Sequence, residues 1–332
     1  MPCGGIHMKT QTSSMGRAVA CVCLGLFLGA GGCAGSEEDA WAPLEQGALA
    51  QEVIATNGLS TNGLSTNGLS TNGLSTNGLS TNGLSTNGLA ASSFTAWFNG
   101  NASVEYSDMV MRYVVACALP AGQTRVWTHP TTGVTYSWPG RLGLATAWAQ
   151  GAAATVAEQQ RISACLAAHV NKYGVSVPIS VRGRDSTGAA IPMASGEAAD
   201  YPEKEACFFG NLFTGEGVFV GSDRTLKKAE STPRGCALSA KNSGENTGCA
   251  PLQHVGSCSS ICTRDATHTF WERCVINGVS YQPLTTQLRS QDIYTCGDGV
   301  CQLTESCGTG KTYDSCAADC STCGASANPG SP

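Results

Sequence analysis

The chain lacks any run of 18 or more apolar residues, so no segment of it reads as a bilayer-spanning helix. Charge is scarce: 13% of its 332 residues are Asp, Glu, Lys or Arg, with a formal balance of −5. No basic stripe is present to displace phosphate counterions, which argues against nucleic-acid binding. Aromatic residues make up only 7%, and His, the usual acid–base side chain near neutral pH, occurs 5 times. Neither a G-x-S-x-G nucleophile elbow nor an H-E-x-x-H zinc helix is found. Gly (41) and Cys (18) are abundant instead. The length allows about two domains.

Lys9 and Arg17 give residues 1–32 a positive start, residues 18–28 an apolar core, and Ala30-Gly31-Gly32 a small-residue cleavage site. That order is what an export signal requires. The string LGAGGC, ending at Cys33, resembles a bacterial lipobox. The resemblance implies cleavage after Gly32 and acylation of Cys33. Residue 34 is Ala, not the Asp associated with inner-membrane retention, so it also implies sorting to the outer membrane. Two or more acyl chains anchor stably, whereas one does not. An ordinary secretory signal followed by a coincidental Cys is the alternative. Met8 and Met15 are alternative starts.

Cys3, Cys21 and Cys23 leave with the signal and Cys33 goes to lipid. Fourteen cysteines remain: Cys117, Cys165, Cys207, Cys236, Cys249, Cys258, Cys262, Cys274, Cys296, Cys301, Cys307, Cys316, Cys320 and Cys323. An even set in an oxidising compartment is expected to pair fully as disulfides.

Residues 33–92 read as a lipid-anchored spacer. TNGL occurs seven times at a five-residue period between positions 56 and 89. A fixed period can mark a solenoid, and this one resembles pentapeptide-repeat β-helices. Those need four pentads per coil and several coils, more than 35 residues supply. Asn-Gly in every copy forms turns and has large backbone entropy to lose. A flexible or turn-rich spacer is therefore the preferred reading, with a short β-solenoid or a self-association element as alternatives.

Composition changes at Ser93, where aromatics begin, and residues 93–233 read as an α+β body. Tyr106, Met109, Val110, Tyr113, Val114 and Cys117 fall on one helical face, and Pro120 ends that helix. Ile162, Cys165, Leu166, His169, Val170 and Tyr173 repeat the spacing, with Thr155 and Glu158 as a capping box and Gly174 as the C-terminal cap. Both cysteines lie on the apolar faces, so a bridge from Cys117 to Cys165 is the economical pairing. Residues 124–128 and 134–138 read as one hairpin, and 208–213 and 217–221 as another. Residues 175–181 alternate as a strand, which Pro178 places at a sheet edge. A Cys-rich segment (234–295), a Cys-rich tail (296–323) and a disordered terminus (324–332) follow. Eleven cysteines within 88 residues substitute cross-links for a core. The expected fold is thus a small helix-plus-antiparallel-sheet body followed by a disulfide-rich, loop-dominated module.

The tail reads Cys296-Gly297-Asp298-Gly299-Val300-Cys301, then Glu305, Cys307, Cys316, Asp319 and Cys320. It resembles the CGDGxC…E…C…DC module of secreted bacterial proteins, myxobacterial ones especially. Lipobox, NGL repeats, the CALP…ACLAAHVNKYG body and this tail together resemble an uncharacterised group of Cys-rich myxobacterial lipoproteins. That group carries no known activity to transfer. Asp298, Glu305, Asp314 and Asp319 are candidate oxygen ligands for calcium, although their spacing departs from the EF-hand. The bland alternative is that Asp298-Gly299 makes a tight turn. Cys258-x-x-x-Cys262 and Cys320-x-x-Cys323 have spacings that zinc sites use, but exported thiols oxidise, so disulfides are expected there. A thioredoxin-like role fits poorly, because Cys320 does not open a helix after a strand. Gly308-Thr309-Gly310-Lys311-Thr312 imitates the end of a phosphate-binding loop, yet position 305 is Glu where that motif needs Gly.

His129, His169, His254 and His268 follow the signal. His169 reads as a core histidine. Asp265 and His268 could orient a Ser nucleophile that the sequence does not nominate. Exposed Trp and Tyr beside Asn and Gly loops would suit carbohydrate or peptide binding. The expectation is a lipid-anchored envelope protein that binds, adheres or gives structure, with the membrane and an envelope carbohydrate or protein as partners. An extracytoplasmic hydrolase with a Ser/His/Asp-type site is the alternative.

Overall fold

The computed structural model describes residues 54–57, 59–60, 84–100, 103–171, 175–238, 251–305 and 316–321. The export signal, Cys33, the repeats at 61–83, Cys249, Cys307, Cys323, Asp314, the 308–312 stretch and the terminus 324–332 lie outside them. Among the described residues no helix is long and apolar enough to cross a membrane.

Strands β1 (Ile54–Asn57) and β2 (Leu59–Ser60) precede helices α1 (Leu84–Asn87), α2 (Ala91–Gly100) and α3 (Val104–Ala118). The hairpin β3–β4 (Thr124–Thr128 and Thr135–Pro139), the single turn α4 (Thr146–Ala149) and helix α5 (Val156–Ala168) come next. Then follow β5 (Val170–Asn171), β6 (Val177–Arg182), α6 (Glu197–Asp200) and the hairpin β7–β8 (Glu203–Asn211 and Gly217–Ser222). The Cys-rich part supplies β9 (Glu230–Ser231), β10 (Leu252–Ser257), α7 (Cys258–Ile261), β11 (Cys262–Arg264), β12 (Trp271–Ile276), β13 (Val279–Tyr281), β14 (Leu284–Leu288), β15 (Tyr294–Thr295) and α8 (Ala317–Cys320).

The apolar spacing of α3 translates directly into burial. Val110, Val114 and Cys117 are inaccessible, while Tyr106 in the first turn stays exposed. Ser103 caps the helix by accepting the Tyr106 N–H. Thr155 and Glu158 close a reciprocal capping box on α5. Cys117 and Cys165 are bridged, with Cα atoms 6.1 Å apart, so the two helices are covalently joined. Helix α5 is shorter than its apolar series suggests. It ends at Ala168 with His169 as cap, and Val170–Asn171 turns into β5 instead of continuing toward Tyr173. The cause lies 66 residues away: the buried Arg234 guanidinium donates to the Ala168 and Val170 carbonyls at 2.8 and 2.7 Å. Helix-end carbonyls need such partners once their own amides run out.

The main sheet has the order β1-β6-β14-β7-β8-β10. Its pairings are antiparallel except for β10, which lies parallel to β8. Pro178 does not mark an edge. Strand β1, from just before and inside the first repeat, pairs outside β6 with Thr56 opposite Pro178. The Cys-rich segment is woven into this sheet: β14 sits at its centre between β6 and β7.

Alternation on β7 and β8 shows why both sheet faces are covered. Ala206, Phe208, Val218 and Val220 join the core shared with α5. Cys207, Phe209 and Phe219 face the other way, into a second cluster with Cys258, Cys262, Trp271, Cys274 and Tyr281. Bridges Cys207–Cys258 and Cys262–Cys274 staple that cluster, and the Cys207 and Cys262 sulfurs lie 3.6 Å apart. Helices, sheet and a small disulfide-stapled cap thus form three layers. The fold is α+β with a disulfide-rich C-terminal region.

The core also begins earlier than the composition change at Ser93. Leu84 and Leu89, the last two repeat leucines, are fully buried. Trp148 grips them: its indole N–H donates to the Leu84 carbonyl, and its own carbonyl accepts the Leu89 N–H at 3.1 Å. Gly88 lies at φ +56°, and a Cβ there would stand 2.0 Å from the Trp148 oxygen. The repeat glycine is therefore required at this copy.

Candidate functional site

The four histidines do not assemble a catalytic group. His129 Nδ1 accepts the Thr131 and Thr132 N–H groups inside its hairpin. His169 donates Nδ1–H to the Cys165 carbonyl at 2.8 Å, and burial pulls it down to about 4, with Arg234 and Arg141 adding to the shift. It stays neutral at pH 7, a core histidine. His268 is exposed at φ 59°, and its neighbour Asp265 is committed elsewhere. The Asp265 carboxylate accepts N–H groups from Thr267, Thr269 and Phe270 at 2.8–3.0 Å. Burial would raise that carboxyl, but these donors and the Thr267 hydroxyl hold it well below the usual range.

His254 does meet a serine, Nε2 to Ser222 Oγ at 2.8 Å. The surrounding bonds set the proton the wrong way for nucleophile activation. Gly256 N–H donates to Nδ1 at 3.3 Å, so Nε2 carries the hydrogen and donates to Ser222. Ser222 in turn donates to the Ala237 carbonyl at 2.9 Å. A general base needs Nε2 free to accept.

The tail motif has a structural explanation. Bridges Cys296–Cys316 and Cys301–Cys320 hold α8 against the Cys296–Cys301 loop. Gly297 and Gly299, at φ 104° and 85°, turn three successive N–H groups toward one point. The Asp319 carboxylate occupies it, accepting from Gly297, Asp298 and Gly299 at 2.6, 3.2 and 3.0 Å. This is an anion nest filled by the protein's own acid. Asp298 accepts from Val300 N–H and the Gln302 amide, both within 2.9 Å. Glu305 is buried, accepts the Gln302 N–H through Oε2, and leaves Oε1 without a partner. Burial raises its carboxyl, with Asp319 and Asp298 adding to the effect. Of the calcium candidates, Asp298 and Asp319 have their oxygens committed to internal donors, and Asp314 lies outside the described residues.

The described groups of potential ligand atoms within 4.8 Å of one another are Cys117–Cys165–His169, Cys207–Cys262–Cys274 and Cys296–Cys316–Asp319. Every cysteine in them is half of a disulfide, so none offers the thiolate that zinc needs. Cys258 and Cys262 go to different partners, Cys207 and Cys274. Cys236 is bridged as well.

Among the described residues there is no aromatic platform of exposed tryptophans. All five described tryptophans are buried. Trp127 and Trp138 stack with Tyr136 and Phe98 to seat hairpin β3–β4 on α2. The expectation of exposed Trp fails because these rings build the core of a small body.

One cleft stands apart, about 200 Å³, lined by Arg161, Arg184, Gly188, Phe270, Trp271, Glu272, Gln282 and Pro283. It sits where α5 meets the β12–β14 region. The other polar side chains on this part of α5 are partnered. Glu158 serves the capping box, Gln159 accepts from Asn211, Gln160 brackets Ser280 and Gln282, and Ser163 holds the Leu212 N–H. Arg161 is 8% exposed, and its buried Nε has no hydrogen-bond acceptor. Burial lowers its pKa, against the pull of Asp185 and Glu158. Trp271 Nε1 and Gln282 Oε1 are buried without partners as well. Arg184 is fully committed to Glu272 and the Gly188 carbonyl, and its guanidinium stands 5.5 Å over Phe270. Sequence reasoning missed this cleft because Arg161 adjoins the apolar face at Ile162 and no local pattern singles it out.

A family model described as the GLTT repeat matches residues 54–80 and 68–95, in six copies. No curated protein and no solved structure matches the chain. The chain is thus a repeat-containing, disulfide-rich α+β protein.

Proposed function

We propose that this chain is a lipid-anchored envelope protein whose body is a small-ligand binding module. The observation that carries the binding part is the cleft at Arg161. Polar residues Arg161, Arg184, Glu272 and Gln282 line it together with Phe270, Trp271 and Pro283, the mixture of apolar wall and few polar groups that a small-ligand site uses. The anchoring part rests on the lipobox-like Cys33 and on the export signal before it. A hydrolase is less well supported, since the Ser222–His254 pair has its proton on the wrong nitrogen.

Two measurements test the reading. Saturation-transfer NMR of the full chain against a panel of small neutral and anionic fragments should find binders that Arg161→Gln weakens. A panel without binders, or binders indifferent to Arg161→Gln, would reject the binding module. Detergent-phase partitioning should place the exported protein with membranes and Cys33→Ser in the aqueous phase. Equal partitioning of both would reject the anchor.

A further inference from the structure

Independently of the binding and anchoring readings, we infer that the edge of β6, together with β5, is a docking groove for this chain's own repeat unit. Successive copies occupy the groove in turn, in steps of five residues. It holds β1 and β2, and the window 54–60 that contains them reads IATNGLS. Ile54, Ala55, Thr56 and Asn57 lie opposite Ser180, Ile179, Pro178 and Val177 in antiparallel register. Leu59 and Ser60 lie opposite Val170 and Asn171 in parallel register. Main-chain ladder bonds hold an added strand, whereas side-chain pockets choose its sequence. These two strands are only four and two residues long, and every unit carries a Gly, a composition that specifies register weakly.

The sequence supplies equivalent occupants. Positions 59–65, 64–70 and 69–75 all read LSTNGLS, against IATNGLS at 54–60. The last five positions of each window are identical, and the first two exchange Ile for Leu and Ala for Ser. A slip of one residue would turn every side chain of a strand to the opposite face. A slip of one whole repeat does not, because each groove position receives the residue type it held before, or its near equivalent. The Asn-Gly between the two strands, a turn-former, recurs in each window. The far end of the array stays in place, because Leu84 and Leu89 are buried and the Leu89 N–H donates to the Trp148 carbonyl. Each step therefore takes five residues from the stretch between β2 and α1 and adds them ahead of β1. Five extended residues span at most roughly 17 Å, so reach ahead of β1 grows by up to that amount per step. The edge of β6 stays covered throughout, where an open edge would leave N–H and C=O groups unpaired. A unit linked to its own groove competes at roughly millimolar effective concentration, ahead of the same unit on a second molecule.

Hydrogen exchange of the full chain, read by mass spectrometry, tests this. Deleting residues 54–58 brings LSTNGLS to the place of IATNGLS. The β6 amides should then exchange within about twofold of the parent rate, with protection passing to 59–65. Replacing residues 54–80 by a Gly/Ser sequence of equal length removes every unit that fits. The same amides should then exchange at least about tenfold faster, while those of β7 and β14 keep the parent rate. Were the deletion to misfold, Thr56→Pro would decide. A proline cannot donate to a ladder, so protection should move from 54–57 to 59–62 with β6 still covered. Exposure of β6 by the deletion or by Thr56→Pro to the level of the Gly/Ser chain would overturn the inference, since only the first window would fit. So would a Gly/Ser chain that keeps β6 protected, because no repeat would be needed. Protection that falls on dilution of the deletion variant would give the groove to a second copy and overturn the occupant inferred here.

Discussion

Around Arg234 the body satisfies one buried guanidinium with Glu205, the helix-end carbonyl of Ala168 and the β5 carbonyl of Val170. In the tail, Asp319 satisfies three backbone N–H groups with one carboxylate. Both are charges placed where backbone groups lack partners, yet the supports differ. Arg234 and Glu205 are wholly enclosed by apolar packing, including Phe208 at 5.7 Å from the guanidinium. The Asp319 nest is exposed at its loop and is held by two disulfides. Where a core exists, burial fixes the geometry; where the segment is too short for one, cross-links do.

The comparison breaks most visibly at Arg234. Arg234→Ala should cost about 3–5 kcal/mol, since Glu205 is left as a lone buried charge. Urea denaturation would show it, and pairing with Glu205→Leu should recover much of the loss. A loss under about 1 kcal/mol would mean that water already supports the pair.

Next comes the place where the repeats enter the body. Leu89→Ala should cost about 2–5 kcal/mol, as expected for emptying a fully buried site. Removing whole five-residue units from positions 61–80 should leave the melting temperature within a degree or two. Equal sensitivity at both places would show that the whole array packs.

The last effect is on pH, and its sign should differ between the two regions. His169 is held near 4 in the fold and titrates near 6.5 unfolded. The unfolded chain takes the proton first, so body stability is full above about pH 6.5. It declines by roughly 3 kcal/mol as the pH falls toward 4. Glu305 is raised, so the folded tail takes its proton first and gains stability as pH falls. That gain should vanish in Glu305→Gln. Hydrogen exchange at residues 297–301 against that of α5 would separate the two responses. Parallel responses would show that the tail unfolds with the body.

These regions also differ in how far the sequence disclosed them. Helices α3 and α5 and their bridge were legible because apolar spacing and the Thr155–Glu158 box are local signals. The end of α5 was not, because a residue 66 positions later terminates it. Strand β14, Leu-Thr-Thr-Gln-Leu, gave no alternating pattern, since both faces of its sheet are covered. Its place at the centre of the sheet was invisible from order along the chain. The tail motif was legible as a unit, but the reason for its two glycines emerged only with Asp319 in place. Arg161 carried no local signal, because what distinguishes it is a missing partner.

The grip of Trp148 on residues 84–89 has a consequence for descent. A tandem array is the kind of sequence in which copies are readily gained or lost between generations. Here the last copy is locked by Gly88 and two buried leucines, while the stretch before β2 pairs within the main sheet. The repeat contacts described above are made at those two fixed points. Selection on folding thus acts on Gly88, Leu84 and Leu89, so the last copy is no longer interchangeable with a generic unit.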